Sequence, residues 1–295
     1  MQKPISIAIV TPSFNQAPFI EETIRSVLDQ QYPEIQYAVI DGGSTDGSKE
    51  IIESYSDQLH YYVSEPDRGH AHALNKGFSN TDCEIMAWIN SDDKYTPRSL
   101  QTICQIFEQF PEVEWITGFN AYWNKDGVLT TAQRNTKNIY DYLTGNFRWI
   151  QQESTFWRRS LWQKAGGYID ENQRYMIDGE LWSRFFQHAE LYSVDAILSG
   201  YRIHDANRAH QHASECQLEM ASIIDTMKTK LPAGINNTAR LINKLKIIKK
   251  IPVINNFNFT KLIPTSHLEK HFQDINYKNI HYNNNRWKLR TLPFK

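Results

Sequence analysis

Four short apolar runs, each cut off by a polar loop and followed by residues at helical spacing, constrain this chain more than any other feature. They are Ile5-Ser6-Ile7-Ala8-Ile9-Val10, Gln36-Tyr37-Ala38-Val39-Ile40, His60-Tyr61-Tyr62-Val63 and Ile85-Met86-Ala87-Trp88-Ile89. Runs of this length bounded by turn residues read as strands. After the first, Pro18 opens a helix with Ile20, Ile24, Val27 and Leu28 on one face. Ile51, Ile52 and Tyr55 mark a helix after the second, His70 to Phe78 one after the third, and Thr96-Pro97 opens another with Leu100, Ile103, Phe107 and Phe110 inward. The alternation predicts an α/β fold, a mostly parallel sheet with flanking helices and right-handed crossovers. In such sheets ligands gather beyond the carboxyl ends of the strands, which here present Thr11, Asp41, Asp67 and Asp92.

The fourth run ends in Asn90-Ser91-Asp92-Asp93. Two adjacent carboxylates repel each other and lose hydration in a pocket, so they need a cation or strong donors. Mg²⁺ or Mn²⁺ fits, because such ions accept one or two protein carboxylates and complete their shells with phosphate and water. A polar turn capping the next helix accounts for the same residues without a metal. Asp41 heads the glycine-rich stretch Asp41-Gly42-Gly43-Ser44-Thr45-Asp46-Gly47-Ser48. Its carboxylate accepts hydrogen bonds only, which suits the imide N–H of uracil or the N1–H and amine of guanine. A turn in which Asp and Ser satisfy local amides is the competing account. Neither G-x-G-x-x-G nor G-x-x-x-x-G-K-[ST] follows the first two strands, which argues against a dinucleotide site or a P-loop.

A formal net charge of -1 gives no basic field for nucleic acid. Three cysteines without C-x-x-C spacing fit a reducing compartment. The first apolar run is too short for a secretory core, and no run reaches the ~18 apolar residues of a spanning helix. A cytoplasmic protein is therefore expected. His70/His72 and His210/His212 lack a Cys or a third spaced ligand for zinc, and His267/His271 frame a Glu in the wrong place for H-E-x-x-H.

Thr11-Pro12-Ser13-Phe14-Asn15, Asp41 to Gly47, Ser64-Glu65-Pro66-Asp67-Arg68-Gly69 with Asn75-Lys76-Gly77, and Trp88 to Asp93 occur in order, each at a strand end. Together they resemble the family 2 glycosyltransferases of GT-A (Rossmann-like) fold, over residues 4 to about 205. The resemblance implies a nucleotide-sugar donor, UDP-linked by preference, contacted by Thr11, Pro12, Asn15, Asp41, Asp67, Arg68, Lys76, Asn90 and Ser91. It implies a divalent metal, Mn or Mg, on the donor diphosphate, held by Asp92 with Asp93 and His204. Asn90 stands where the family pattern has its first acidic residue. Gln151 to Trp157 resembles the segment framing the acceptor, with Gln152 and Trp182 as acceptor contacts. Asp178-Gly179-Glu180-Leu181-Trp182 matches the motif whose Asp is the catalytic base, with Ile177 replacing the preceding Glu.

Helical spacing from about Tyr175 to Gln187 places Asp178 with Leu181, Trp182 and Phe185 on the inward face, and Glu180 with Arg184 on the other as a surface pair. A capping role is the alternative for Asp178. The expectation is an inverting, metal-dependent transferase moving a sugar to a glycan or lipid-linked acceptor in surface-polysaccharide assembly. Asn90 and Ile177 also admit a noncatalytic nucleotide-sugar-binding subunit, and the metal rim a sugar-nucleotide hydrolase. Residues 1–230 form the expected GT-A domain and 231–295 a helical or irregular extension. Within that extension Arg240 to Val253 sets an apolar stripe beside a basic one. Such a helix either lies peripherally on the inner face of a membrane or packs on the catalytic domain with solvated lysines. The sequence sets no oligomeric state.

Overall fold

The computed structural model describes residues 4–146, 150–205, 207, 211–249 and 275–294. Strand β1 (Ile7–Ser13) lies between β2 (Ile35–Asp41) and β4 (Ile85–Trp88), with β3 (Tyr61–Ser64) outside β2, all parallel. Ser13 pairs with Asp41 and Asp41 with Ser64, so these three strands end at one level and their loops share one rim. β1 runs to Ser13 because residues 11 to 13 go on pairing with 39 to 41. The helices α1 (Ile20–Leu28), α2 (Ser48–Glu53), α3 (His70–Ser79) and α4 (Ser99–Gln109) follow the four strands as the spacing predicts. In α1 the buried side chains are Ile20, Thr23, Ile24 and Val27, the stripe that i, i+3, i+4, i+7 spacing requires.

The two-residue strand β5 (Lys94–Tyr95) begins a second, smaller sheet that also holds β7 (Asn120–Trp123), β8 (Leu129–Gln133) and β11 (Ser199–Arg202). The main sheet continues past β4 through antiparallel β9 (Thr155–Arg158) to β6 (Trp115–Thr117) and β10 (Tyr192–Val194). The expected helical or irregular C-terminal extension needs correction. β12 (Tyr277–Asn283) and β13 (Arg286–Leu292) form a hairpin that adds to the main sheet beside β10. Asn284 and Asn285, both left-handed at φ 52° and 58°, make the two-residue turn, a conformation asparagine tolerates. Ahead of that hairpin, the helix Ala233–Lys249 buries Ala239 and Ile242, the packed arrangement of the two left open by its sequence. Residues 250–253 of the amphipathic stretch, His210, and His267 to His271 lie outside the described residues. Among the described residues, no helix is long and apolar enough to cross a membrane.

Four tryptophans join the sheet to α7 (Ile177–Phe185). Trp182 of that helix stacks on Trp88 of β4, with ring centroids 5.7 Å apart and planes 13° apart, and meets Trp157 and Trp115 at 5.6 Å each. All four are essentially without exposed surface. Each such ring removes a large apolar area from water, so this layer fixes where α7 sits. On the same face of the sheet Gly77 lets α3 approach closely: a Cβ there would lie 2.3 Å from Val10 Cγ1 and 3.3 Å from Ile40 Cγ1. We expect Gly77→Ala to lower stability in urea by about 1–3 kcal/mol through overpacking, despite the ~1 kcal/mol that alanine adds to a helix interior. An unchanged or raised midpoint would show that the α3–sheet contact tolerates a methyl group.

Candidate functional site

The loops after β1 and β2 are laced together by their own polar side chains. Asn15, at φ 52°, donates its backbone N–H to Ser44 Oγ (2.8 Å) and accepts from Thr45 N through Oδ1 (3.0 Å). Gln16 N donates to Ser48 Oγ (2.8 Å) and Ala17 N to Asp46 Oδ2 (3.0 Å). Asp41 is fully buried and accepts from Ser44 N (2.9 Å), Ser44 Oγ (2.5 Å), Gly43 N (3.2 Å) and Ser64 Oγ (2.6 Å). This corrects the expectation that Asp41 faces a base: four local donors occupy its oxygens, and it shapes the rim by holding Gly42 and Gly43. Thr11 and Asn15 are corrected likewise. Thr11 is buried within the sheet with its hydroxyl 3.0 Å from the Tyr37 hydroxyl, and Asn15 is spent on the loop-to-loop bonds.

A cavity of about 1130 Å³ opens above this rim, somewhat larger than the roughly 300–1,000 Å³ of most small-molecule sites. Pro12, Gly42, Gly43, Asp67, Arg68, Asn90, Ser91, Asp92, Gln152 and Asp178 all line it. Phe14, 61% exposed, stands at its mouth beside Gly42 and Asp67. Arg68 pairs with Glu171 (2.9 Å) and Asp67 accepts from Gly69 N (2.7 Å). Lys76 does not join them. It lies two turns into α3 and forms an ion pair with Glu65.

Asp92 and Asp93 part company. Asp92 lines the cavity with its Oδ2 2.9 Å from His204 Nε2, and the His204 ring packs 4.7 Å from Phe19. Asp93, expected as a second ligand, is turned into the core with no exposed surface and accepts Arg202 N at 2.8 Å. Burial, and then the charges of Asp92 and Glu153, hold its carboxyl well above the usual carboxylate range. A carboxyl turned into the core is poorly placed to hold a metal in the cavity. Arg202 itself is 1% exposed and spans three elements: Nε donates to Asp92 O (2.5 Å), Nη1 to Lys125 O (3.1 Å) and Nη2 to Glu22 (2.5 Å). Its planar fork thus pins the loop that carries Asp92.

On the facing wall, Asp178 sits in the first turn of α7. Burial pushes its carboxyl up to about 6, the Gly179 N–H (2.8 Å) pulls it down, and the nearby Glu219 charge adds to the rise. Glu219 comes from the helix Ala213–Lys230 and accepts three successive backbone N–H groups, those of Arg174 (2.6 Å), Tyr175 (2.8 Å) and Met176 (2.7 Å). It thereby fixes the chain entering α7. Trp182, expected at the acceptor, is instead part of the buried tryptophan layer, because the residue four positions after Asp178 faces the sheet. Glu180 and Arg184 are no surface pair either: Arg184 is 7% exposed, bonded to Glu180 (2.7 Å) and to the carbonyls of Ala165 and Tyr168.

Sequence reasoning named the segment around Glu153 but not the residue. It is 2% exposed, lines the cavity, and its Oε1 has no hydrogen-bond partner among the described residues. Burial raises its carboxyl to about 8, with the charges of Asp178 and Asp92 adding to the rise. The available signal was a lone acid inside the otherwise uncharged run Ile150 to Trp157 that enters a buried strand. Glu219 left no such signal, since it is one of several charges on a long helix.

Comparison with known proteins places this architecture. An uncharacterized glycosyltransferase of Rickettsia typhi is 29% identical over 206 residues, covering 68% of this chain and 64% of that protein. The chain thus spans a little under two thirds of that relative's length. The structure of S. aureus TarS 1-349 in complex with UDP-GlcNAc superposes with a TM-score of 0.63 at 16% identity, over 91% of this chain and 79% of that one. Mannosyltransferase PcManGT from Pyrobaculum calidifontis, in complex with GDP-Man and Mn2+, gives 0.53 at 15% identity over 85% and 84%. These likenesses show a shared fold, the GT-A arrangement expected from the sequence. The family model described as glycosyl transferase family 2 matches residues 8–188, well over half of the chain, and the chain belongs to that family.

Proposed function

We propose that the chain is an inverting glycosyltransferase that moves a sugar from a nucleoside diphosphate, UDP by preference, to an acceptor hydroxyl. The observation that carries this reading is that Asp92 and Asp178 line one cavity. Support for the donor side comes from the rim: Phe14 offers an aromatic face for a base, Asp67 an acceptor for ribose or base N–H groups, and Gly42 and Gly43 close backbone approach. The TarS complex with UDP-GlcNAc and the PcManGT complex with GDP-Man, structures of similar fold, support a nucleotide sugar as the donor. A glycan or lipid-linked sugar, as in surface-polysaccharide assembly, is the acceptor class that the family resemblance implies.

The residues present also suit a divalent ion. No cluster of three or more His, Cys, Asp or Glu able to hold a metal occurs among the described residues. Asp92 and His204 would hold it, with phosphate and water completing the shell. When bound, Mg²⁺ or Mn²⁺ supplies Lewis-acid stabilisation of charge on the departing diphosphate. The protein's own work is positioning and proton transfer. Asp178 accepts the proton of the acceptor hydroxyl as its oxygen bonds to the anomeric carbon and the bond to the diphosphate breaks on the opposite face. No enzyme nucleophile is required. The tryptophan layer and Glu219 hold Asp178 in place while the Arg202 fork holds Asp92.

Four outcomes are expected. Asp178→Asn keeps donor affinity by calorimetry and loses transfer by ~10²-fold or more; undiminished turnover removes the base assignment. Asp92→Ala weakens UDP-sugar binding much more with Mn²⁺ than with EDTA, and an equal loss in both argues against a metal at Asp92. Transfer by the wild-type chain rises with pH through about 6, where Asp178 loses its proton. Removing the Glu219 charge in Glu219→Gln moves that midpoint down, because the neighbouring negative charge favours the protonated form. A pH–rate profile unmoved by that substitution means Glu219 acts through backbone placement alone.

A further inference from the structure

Most polar groups in the cavity wall already have partners: Asp92 has His204, Asp67 has Gly69 N, and Arg68 has Glu171. One patch differs. Gln152 and Glu153, on the short turn Gln152–Ser154 that feeds β9, are 8% and 2% exposed and both line the cavity. Both amide atoms of Gln152 and the Oε1 of Glu153 are buried without a hydrogen-bond partner among the described residues, as are Asn90 Oδ1, Ser13 Oγ and Trp88 Nε1 elsewhere in the same wall. Buried polar groups are costly to leave unpaired, so the patch is built for a ligand that supplies the missing bonds. It offers an amide donor and several acceptors, the complement of sugar hydroxyls, each of which donates once and accepts twice.

The charge around the patch narrows the ligand further. Glu153 lines the same cavity as Asp92, the group assigned to the diphosphate, and Asp178, the group assigned to the acceptor proton, and lies in the fields of both. That is where the sugar in transit sits. Its carboxyl, raised to about 8, is a neutral acid near pH 7 and can itself donate to a hydroxyl. The two arginines of the cavity wall, Arg68 and Arg174, are both exposed, and Arg68 is committed to Glu171. A carboxylate on the sugar would therefore meet Asp92 and Asp178 with no buried arginine or lysine lining the cavity to balance it.

We infer that Gln152, Glu153 and Asn90 form a subsite for the ring hydroxyls of an uncharged sugar, so that the chain takes neutral hexosyl or N-acetylhexosaminyl donors and discriminates against uronic acids. This rests on the nucleotide-sugar reading above, and Gln152, expected at the acceptor, is assigned here to the transferred sugar.

The test is calorimetric titration of the full chain with Mn²⁺ and UDP, UDP-glucose, UDP-N-acetylglucosamine or UDP-glucuronate, repeated with GDP, GDP-mannose and GDP-mannuronate. A neutral sugar should bind at least about tenfold more tightly than the uronate on the same nucleotide. Glu153→Ala and Gln152→Ala should each weaken the neutral sugar nucleotide about tenfold more than the bare nucleotide, and Glu153→Gln should restore most of that loss. Bare-nucleotide affinity reports whether each variant is folded. Equal binding of neutral and uronic donors, or alanine variants that weaken sugar nucleotide and nucleotide alike, overturns the subsite and leaves the transferase reading standing. Binding of neither nucleotide series overturns both.

Discussion

Carboxylates that share a low-dielectric cavity oppose one another, and the surroundings of Asp92, Glu153 and Asp178 are organised by that conflict. Burial penalises the charges of Glu153 and Asp178, and the charges of Asp178 and Asp92 raise the proton affinity of Glu153. Left to relax, such groups would swing apart or draw in water. The scaffold prevents this from three directions. Arg202 grips the backbone carbonyl of Asp92 and, through its own N–H, the side chain of Asp93. Glu219 takes up three amides ahead of α7. The packed tryptophans set the distance between β4 and α7. A divalent ion and a sugar with neutral hydroxyls would relieve what repulsion remains, so the ligand completes the electrostatics of the site.

The two sheets divide the work. The large parallel sheet contributes the rim loops, whose register brings Ser13, Asp41 and Ser64 level. The small sheet contributes the opposite wall, with Tyr122 of β7 and Tyr201 of β11 facing the cavity and Arg202 reaching back toward the main sheet. Lys94 and Glu22 close the join, with Glu22 also receiving Arg202. Asp92 thus sits where the sheets meet, on a loop anchored from both.

The strand–helix alternation made the parallel half of the fold legible in the sequence, because period and turn chemistry are local signals. The C-terminal hairpin was not legible: its buried residues Tyr277, Asn279, Ile280 and Trp287 keep no regular alternation in a stretch dense with Asn and Lys, and its burial depends on a neighbour, β10, far away in the chain. At the site, residue types were read well and side-chain directions less so. Asp92 and Asp178 fall in the cavity as expected. Asp93 and Trp182 fall in the core, since adjacency to an active residue does not set which way a side chain points. Asp41 and Asn15 serve the loops themselves, the ordinary behaviour of such residues in glycine-rich turns. Glu153 is visible only once the cavity is, because a single acid in a strand-entry segment carries no pattern of its own.

A crystal structure of the chain with Mn²⁺ and a non-hydrolysable UDP-sugar tests the central claim most directly. The account predicts one ligand bridging both walls, with Asp92 among the ligands of the metal on the diphosphate and the Asp178 carboxylate on the face of the anomeric carbon away from it. A nucleotide sugar seated so that Asp178 and Asp92 do not flank the same sugar would contradict it.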